Sequence, residues 1–427
     1  MRKSFRRIIK ICILAAILFA IIAGIRSCVT PSEKKGPSVS YYDIYDGFAT
    51  APEPELQCKA AALIDYATGN VLYTKNPMEI IPPASMTKLM TTYLVIERVK
   101  AGELDLDQEI VVPPEADFNR APYRSSLMYI QEGQRITVRD LLTGLMVTSG
   151  NDAAVAAAIL AAGSVEHCVE MMNQKAQQLG FSSFVFVDPA GYEAENQVNA
   201  LEFCQFCRIY IQNCIEYLDF LTGVIDFRYP KTSSRVTHNS NDLLGRYAGV
   251  DGLKTGYIDE SGYNISLTAE RGGMRLVAVV MGIKAKDIMN AKLMRMEEGA
   301  SLLSYGFHTF KSFFPALPAP VNVPIFGCES DTVAAAIPGN EHICVPYSQI
   351  SDLSWDISLT KGLKGPVESG ETVGSCTVSL SGSPLAVYPL VAAESSSRGT
   401  LMRRFSGFFK ALGQKSAALH FSLAFPQ

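Results

Sequence analysis

The sequence lacks the motifs of several common protein classes. It has no glycine-rich loop that would cradle a phosphate, and no histidine or cysteine cluster has zinc-finger spacing. The formal net charge over 427 residues is only −4, so no global charge excess suggests nucleic-acid binding. We find no internal repeat. These absences indicate an ordinary globular protein, for which we expect no metal, no cofactor and no nucleic-acid partner.

The first 30 residues have the pattern of an export signal. A basic start precedes an apolar run over residues 11–25. This charge distribution predicts a cytoplasmic N-terminus and an extracytoplasmic remainder, attached to the outer face of the cell membrane. Arg26 stands where a cleavage site needs a small residue, which favours an uncleaved signal anchor over a signal peptide without deciding between them.

The rest of the chain divides into segments of different pattern. With 48% hydrophobic residues, it is long enough for more than one domain with its own core. Strand-like alternation precedes and follows an α-rich stretch, so the outer strands must pair across that stretch within one domain. The predicted segments are a leader (1–30), a linker (31–55), a mixed α and β domain (56–312), a small β-sandwich-like domain (321–393) and an amphipathic helix (399–427).

Ten cysteines are many for an exported protein. Those between residues 204 and 214 follow a helical pattern, which predicts buried apolar side chains rather than a redox pair. Cys328, Cys344 and Cys376 lie in the β-patterned region, where one disulfide is possible. The sequence does not decide which two of them would pair.

The C-terminal segment predicts a basic amphipathic helix suited to an anionic membrane surface. Arginines and lysines lie largely away from its apolar face. A helix packed on its own protein is the alternative. The apolar residues that share one helical face are Leu401, Met402, Phe405, Phe408, Phe409 and Leu412.

Three short clusters follow one another along the mixed domain. They are Ser-Met-Thr-Lys at residues 85–88, Ser-Gly-Asn at 149–151 and Lys-Thr-Gly at 254–256. Each cluster alone is a weak signal, since serine three residues before lysine also occurs at 32–35 and 358–361. Together and in this order they provide a serine nucleophile, a basic group, a second serine with an amide, and a basic strand for an anionic substrate.

Ser85 and Lys88 lie three residues apart at a predicted helix start, so their side chains share one face. A serine hydroxyl is a weak nucleophile until a base takes its proton, and lysine can do so only when it is neutral. Burial and the nearby positive charge of Lys254 both favour the neutral amine. The backbone N–H of Ser85, at a helix start, can donate to an oxyanion. A plain helix N-cap is the alternative for Ser85 alone.

The third cluster lies where the helical pattern gives way to strands. Lys254 and Thr255 are predicted to bind a substrate carboxylate, and Gly256 to let a substrate backbone lie close to the strand. The N–H of Tyr257 is the predicted second oxyanion donor. A charged edge strand that keeps the protein soluble is the structural alternative.

The second cluster lies in a predicted loop between two helices. Ser149 is predicted to relay a proton to the leaving amine, and Asn151 to hold a substrate amide. Either residue is also typical of a helix cap, a role that is compatible with catalysis.

Longer stretches around the clusters resemble the penicillin-binding D-alanyl-D-alanine carboxypeptidases of low molecular mass. The matching stretches are residues 82–91, 149–153, 250–257 and 278–282, within a similarity from about residue 58 to 310. The resemblance implies an α/β fold in which a five-stranded antiparallel sheet is covered by helices, as in serine β-lactamases. It extends more weakly into the small β domain and fits a C-terminal membrane anchor.

The resemblance also implies a reaction. Ser85 would form an acyl-enzyme that water then releases, removing the terminal D-alanine from peptidoglycan stem pentapeptides, and β-lactam antibiotics would be covalent inhibitors. Arg295 matches a family arginine near the substrate carboxylate, although a solvated helix charge suits its sequence equally. Ile258 and Asp188 stand where the family usually has a hydroxyl residue and an asparagine. These departures bear on substrate preference and rate rather than on the reaction class.

Three competing functions share parts of this pattern. A class A β-lactamase also needs a Glu-x-x-x-Asn loop, and residues 166–170 offer no such asparagine. A DD-endopeptidase would use the same residues on a larger leaving group. A vestigial wall-binding module would have lost its nucleophile or its lysine, and both are present here.

Overall fold

The computed structural model describes residues 52–230, 235–339, 341–412 and 418–422. The predicted leader and most of the predicted linker lie outside the described residues, so both stay predictions. The helices are α1 (Lys88–Lys100), α2 (Val138–Val147), α3 (Asn151–Ala162), α4 (Val165–Gln178), α5 (Ala200–Cys214), α6 (Leu218–Leu221), α7 (Ile288–Thr309) and α8 (Leu401–Leu412).

The strands are of very unequal length. In chain order they are β1 (Ala60–Asp65), β2 (Val71–Lys75), β3 (Ile80–Ile81), β4 (Glu109–Val111), β5 (Arg135–Thr137), β6 (Val198–Asn199), β7 (Asp226–Phe227), β8 (Thr237–His238), β9 (Val250–Ile258), β10 (Gly262–Arg271), β11 (Met274–Ile283), β12 (Phe310–Phe313), β13 (Val321–Pro324), β14 (Thr332–Ala336), β15 (Ile343–Pro346), β16 (Leu353–Leu359), β17 (Thr372–Leu380), β18 (Ser383–Ala392) and β19 (Ala418–Ser422).

A five-stranded sheet in the order β2-β1-β11-β10-β9 organises the first part of the chain. Its neighbours are antiparallel, and β1 pairs with β11 across all the helices between them, from Ala60 opposite Met281 to Asp65 opposite Leu276. The predicted fold class is therefore confirmed, including the α-rich insertion between the two parts of the sheet. β9 is the last strand of the order, so one of its edges faces the insertion.

The sheet is buried on both faces because its strands alternate between two cores. Ala60, Ala62 and Ile64 of β1 pack in a core with helices of the insertion. Ala61 and Leu63 point the other way, into a second core beneath α7. A continuous apolar strand of this kind is what a sheet covered on both sides requires. The two helical layers fix β9 and α1 in place, and the site lies where these two elements meet.

The structure differs from the predicted helical pattern in one stretch of the insertion. Residues 101–134 contain the short strand β4 and single 3₁₀ turns rather than regular helices. Prolines and residues with local hydrogen bonds account for this, since Pro114 opens one turn and Asp117 accepts from Asn119 N at 2.9 Å in the next. This irregular stretch leads to Ser125, beside the nucleophile.

The later part of the chain forms a β domain around a six-stranded sheet, in the order β13-β14-β18-β17-β16-β19. Trp355 and Val378 lie opposite each other on β16 and β17 and are both buried in its core. A short pairing of β12 with β15 joins this domain to the end of α7. The last strand, β19, pairs along β16 and returns the chain to the sheet after α8. The helix predicted over 399–427 therefore ends at Leu412, because the residues of β19 pair with the sheet instead of continuing the helix.

The possible disulfide in the β domain is not formed. Cys328, Cys344 and Cys376 are free thiols, as are the other cysteines of the described residues. Cys328 and Cys376 pack within the apolar core, while Cys344 lies on β15, which pairs with β12 instead. They behave as small apolar side chains, and burial raises the pKa of each thiol.

Within the described residues, no single helix has the length and hydropathy to span a membrane. In this described part of the chain, the bent pair α3 and α4, with 76° between the two helices, has sufficient length and hydropathy when the two helices are taken together.

Candidate active site

Ser85 lies in a 3₁₀ turn, Ala84–Thr87, immediately before α1. The turn presses against β9 so closely that a Cβ at Gly256 would lie 2.5 Å from the carbonyl oxygen of Pro83 and 3.2 Å from the nitrogen of Ser85. Only glycine allows this approach without displacing the serine. The predicted reason for Gly256 was room for a substrate backbone, and the structure adds this second reason.

The amine of Lys88 is fully buried and contacts three oxygens. Its Nζ lies 3.0 Å from Ser85 Oγ, 2.8 Å from Asn151 Oδ1 and 2.6 Å from the carbonyl oxygen of Ala190. The amide and carbonyl oxygens can only accept hydrogen bonds. A neutral amine has two N–H donors and one lone pair. When the donors serve Asn151 and Ala190, the lone pair faces the hydroxyl of Ser85 and can take its proton.

Burial lowers the pKa of Lys88 to about 7, against the charges of Asp188 and Asp152, which favour the ammonium form. The pKa of Lys254 is also lowered, by burial first and then by the positive charges of Lys88 and Arg295. The site therefore holds a lysine with a substantial neutral fraction near neutral pH, as a general base requires.

Ser149 connects the second cluster to the third. It lies between α2 and α3 with a left-handed φ of 57°. Its Oγ accepts a hydrogen bond from Lys254 Nζ at 3.0 Å, and the same amine donates to the carbonyl of Thr255 at 3.2 Å. A hydroxyl joined to a buried amine is placed to pass a proton.

Asn151 begins α3 and spans the two sides of the site. Its Oδ1 accepts from Lys88, while its Nδ2 donates to Ser125 Oγ at 3.1 Å. The backbone N–H of Asn151 donates to the carbonyl of Ser126 at 2.8 Å. The amide is therefore held in one orientation, with its oxygen towards the lysine.

Arg295 lies behind the third cluster rather than on an exposed helix face. It is 3% exposed, its guanidinium donates to the carbonyl of Ser240 at 2.8 Å, and its Nε is buried without a partner. The hydroxyls of Ser240 and Thr255 are hydrogen-bonded to each other. Burial lowers the pKa of Arg295 to about 10. Its burial excludes the solvated-charge alternative, and the arginine adds positive field beneath Thr255.

Asp188 organises the loop that supplies the carbonyl of Ala190. Its Oδ1 accepts from the N–H groups of Ala190 and Gly191, both at 2.7 Å, and its Oδ2 accepts from Glu193 N at 3.0 Å. Gly191 has a φ of 76°, and a Cβ there would lie 1.8 Å from the carbonyl oxygen of Ala84. The loop is therefore locked against the turn that carries the nucleophile.

Asp152 has a similar role on the opposite side. Its buried carboxylate accepts from the backbone N–H groups of Met128, Tyr129 and Ile130 at 2.9, 2.7 and 3.1 Å. It thereby fastens the segment after Ser125 to the start of α3. The supporting contacts made by Ser125, Asp152, Asp188, Ala190 and Ser240 were not predicted from the sequence.

An open cleft of about 550 Å³ leads to Ser85 and Asn151. Tyr257 lines it, and its hydroxyl donates to Asp259 at 2.5 Å, which raises the pKa of Tyr257 to about 12. No group of three or more His, Cys, Asp or Glu side chains is placed to hold a metal in the part of the chain that the structure describes. Of the predicted site residues, Ser85, Lys88, Ser149, Asn151, Lys254, Thr255, Gly256 and Tyr257 come together here, with Arg295 behind them.

Comparison with known proteins shows which family the chain resembles. Residues 48–285 match the D-alanyl-D-alanine carboxypeptidase family of peptidases, and residues 316–398 match the C-terminal domain of penicillin-binding protein 5. D-alanyl-D-alanine carboxypeptidase DacC of Escherichia coli is 31% identical over 366 residues, which cover 84% of this chain and 89% of that protein.

The chain belongs to the D-alanyl-D-alanine carboxypeptidase family. It is thus a serine-type peptidase and a hydrolase. Penicillin-binding protein 5 from Haemophilus influenzae has a similar structure, with a TM-score of 0.66 and 28% identity over 82% of this chain and all of that one. Penicillin-binding protein D2 from Listeria monocytogenes, solved with bound cefotaxime, has a TM-score of 0.53 and 30% identity over 60% of this chain and all of that one.

Proposed function

We propose that this carboxypeptidase removes the terminal D-alanine from peptidoglycan stem pentapeptides, with Ser85 as nucleophile and Lys88 as general base. The observation that carries the proposal is the buried amine of Lys88, 3.0 Å from the hydroxyl of Ser85. Its other donors are engaged by Asn151 and Ala190, so its lone pair is directed at the serine.

In the acylation step, Ser85 Oγ attacks the carbonyl carbon of the penultimate D-alanine while Lys88 takes the hydroxyl proton. The backbone N–H groups of Ser85 and Tyr257 are the proposed donors to the resulting oxyanion. The C–N bond then breaks as Ser149 gives a proton to the leaving nitrogen. Lys254, which contacts Ser149 directly, resupplies the proton of that serine, and Lys88 passes the proton taken from Ser85 on to Lys254. The net change is one proton moved from Ser85 to the leaving amine, so Lys88 is neutral again before deacylation.

Deacylation reverses these roles with water in place of the amine. Lys88 accepts a proton from the water that attacks the ester carbonyl, and Ser85 leaves with a proton returned to its oxygen. The products are the shortened peptide with a free carboxylate and the regenerated enzyme.

The third cluster is proposed to recognise the carboxylate of the terminal D-alanine. Lys254 and Thr255 lie beside the nucleophile turn, and Arg295 adds positive charge from behind through its contact with Ser240. Asn151 is proposed to hold an amide of the substrate. A free carboxylate should therefore distinguish good substrates from poor ones.

A peptide assay tests this function. The described residues all belong to one compact unit, so protein lacking residues 1–39 is incubated with an acyl tripeptide ending in D-Ala-D-Ala. We expect release of D-alanine that persists with a chelator and is lost in Ser85→Ala. Activity that a chelator abolishes and zinc restores would contradict the serine mechanism, and cleavage of cross-linked dimers alone would indicate a DD-endopeptidase.

The carboxylate site has its own test. Lys254→Ala should lose more activity on a peptide with a free C-terminus than on its amide, because the lysine is proposed to bind the carboxylate. Lys175→Ala is the matched control, since Lys175 forms an ion pair with Glu97 at 2.9 Å. Equal loss on both peptides would mean that Lys254 acts on the chemistry instead.

β-Lactam antibiotics are the proposed covalent inhibitors, attacked by Ser85 in the same way as the peptide. The cefotaxime-bound relative supports this assignment. The domain arrangement is proposed to be a catalytic domain over residues 56–312, a β domain over 321–393 and a C-terminal segment over 399–427, of which α8 is the membrane-associated part.

The enzyme is proposed to act outside the cytoplasm, attached to the outer face of the membrane by its N-terminal segment and by α8. The predicted N-terminal anchor lies outside the described residues. For α8, support comes from its exposed apolar side chains, among them Leu401 and Phe405, and from a helix sequence without acidic residues.

A further inference from the structure

The helix α8 is packed on the β domain by its smallest residues. Only Gly407 and Ala411 are buried along its length, while the large apolar side chains are exposed. This reverses the usual orientation of an amphipathic helix, which turns its apolar face towards its own protein. The two small residues therefore define the face by which the helix docks on the β domain. The large apolar side chains lie on the exposed face.

The contact at Gly407 is between two backbones. A Cβ at this position would lie 2.5 Å from the nitrogen of Gly327 and 3.1 Å from its Cα. Gly327 has a φ of 77°, and a Cβ on it would in turn lie 3.3 Å from the Cα of Arg404. Side chains on either glycine would push the helix away, so the approach depends on both.

Both ends of the segment are tied to the β domain. Before the helix, Gly399 N donates to the carbonyl of Gly327 at 3.0 Å. The guanidinium of Arg403 donates to the carbonyl of Cys328 at 3.2 Å. After the helix, β19 pairs with β16. The helix is therefore held as part of the β domain.

A second loop of the β domain reaches the exposed face of the helix. Phe326 N donates to the carbonyl of Leu363 at 2.8 Å. This hydrogen bond holds the loop that contains Leu363 and Lys364 next to Gly327, where α8 docks. The ammonium of Lys364 then lies 4.3 Å from the ring centroid of Phe408, which is 49% exposed. A cation from outside the helix is thus placed at its apolar face.

We propose that docking through Gly407 and Gly327 presents α8 and Lys364 as one preassembled surface that binds anionic lipid. This rests on the proposed membrane attachment and adds its geometry. The apolar face inserts among the acyl chains, while Lys364, Arg404 and Lys410 contact the anionic headgroups. Because the helix is already ordered on the β domain, binding avoids most of the cost of ordering a short helix.

Gly407→Ala tests the docking. Alanine favours the helix more than glycine does, so any loss of binding cannot come from a weaker helix. With protein lacking residues 1–39 and vesicles of equal parts phosphatidylglycerol and phosphatidylcholine, we expect roughly tenfold weaker binding, because the freed helix must be ordered on the membrane. The amides of α8 should exchange slowly in the wild type without vesicles and rapidly in the variant.

Ser406→Ala is the matched control, since Ser406 is exposed on the same helix and the change also favours helix. It should keep the exchange protection and bind as tightly as the wild type, or slightly more tightly. If Gly407→Ala keeps both the protection and the affinity of this control, the glycine contact is not what presents the helix and the proposal is overturned.

Lys364→Gln tests the composite surface. Loss of one lysine near an anionic surface should weaken binding about fivefold, and binding to pure phosphatidylcholine should not change. Lys311→Gln is the control, because Lys311 likewise lies over an exposed ring, 5.8 Å from the centroid of Tyr347. Equal effects of the two variants would show that Lys364 is not part of the lipid-binding surface.

Failure of this inference can be told apart from failure of the membrane attachment itself. If the wild type binds vesicles and loses binding when residues 399–427 are deleted, the membrane attachment is supported. The variants Gly407→Ala and Lys364→Gln then test whether the docked helix and Lys364 form the binding surface. If the wild type does not bind, both are contradicted.

Discussion

The buried lysines of the active site and the exposed phenylalanines of α8 break one rule of globular proteins in opposite directions. Charged groups are rarely buried, and large apolar side chains rarely cluster in solvent. Lys88 and Lys254 are almost fully buried, whereas Phe405 and Phe409 of α8 are 72% and 58% exposed.

The buried lysines and the exposed phenylalanines differ in what offsets their unfavourable surroundings. Lys88 finds three oxygens within its own chain and a lowered pKa, so its site is complete without a partner. The phenylalanines contact one another, with ring centroids 5.2 Å apart for Phe405 and Phe409. In the proposed attachment, a membrane covers them and thereby offsets their exposure. The first region should therefore respond to pH, and the second to lipid.

The largest expected effect comes from removing the buried base. Lys88→Ala should slow acylation by benzylpenicillin by ~10²–10⁴-fold or more, because the amine of Lys88 is the group that contacts the hydroxyl of Ser85. Intact-protein mass spectrometry against time measures the rate. Circular dichroism should show a folded protein, and vesicle binding should be unchanged. Acylation within a few-fold of the rate of Lys175→Ala would contradict the assignment.

Deleting residues 399–427 should have the opposite effect, in that vesicle binding is lost and acylation is kept. Vesicle binding should be lost, since each fully buried side chain of this size contributes roughly 1.5–3 kcal/mol, an upper limit at a shallow interface. High salt should weaken the binding of the wild type only partly, because the apolar term is not screened. Acylation by penicillin should persist. If both proteins cosediment with vesicles equally, α8 is not a membrane contact.

A smaller effect is expected at the contact between β9 and the nucleophile turn. In Gly256→Ala, the new Cβ would meet the carbonyl oxygen of Pro83 at 2.5 Å, so the turn carrying Ser85 must shift. Small misplacements of reacting groups cost up to about 10²-fold in rate, and we expect a loss of about tenfold or more in acylation. Gly223→Ala, with its nearest contact at 3.4 Å, is the control and should react like the wild type.

The smallest expected effect is a shift in pH dependence. Asp188 favours the ammonium form of Lys88, so removing its charge in Asp188→Asn should lower the pKa of the lysine further. The acidic limb of acylation should then move to lower pH. Asn196, which donates to Asp188 at 2.5 Å, would lose a charged acceptor, so the maximal rate should also fall. A limb that moves to higher pH, or the same shift in the surface variant Asp107→Asn, would refute this electrostatic role.

The sheet and the three clusters could be predicted because their signals are local. The strands β10 and β11 are apolar runs joined by a Gly-Gly turn, α3 is rich in alanine and α4 is amphipathic, so each element has a signal within its own residues. Ser85 falls in a 3₁₀ turn rather than in the helix itself, a difference of one turn at the least predictable part of an element.

The supporting contacts could not be predicted because they join distant positions without a motif. The carbonyl of Ala190 lies 102 positions from Lys88 in sequence, and a backbone carbonyl has no residue-type signal. Asp188 was visible only as a departure from a family pattern, although it holds that carbonyl in place. The free cysteines and the pairing of β19 with β16 likewise depend on the packing of the β domain.

The most direct test of the central claim is the pH dependence of penicillin acylation, followed by mass spectrometry with peptide mapping of the adduct. The adduct should lie on Ser85. Because Lys88 has a pKa of about 7 and acts when neutral, the rate should fall tenfold per unit well below pH 7 and level off above it. An adduct on another residue, or a rate that does not change from acid to neutral pH, would contradict a neutral Lys88 as the base for Ser85.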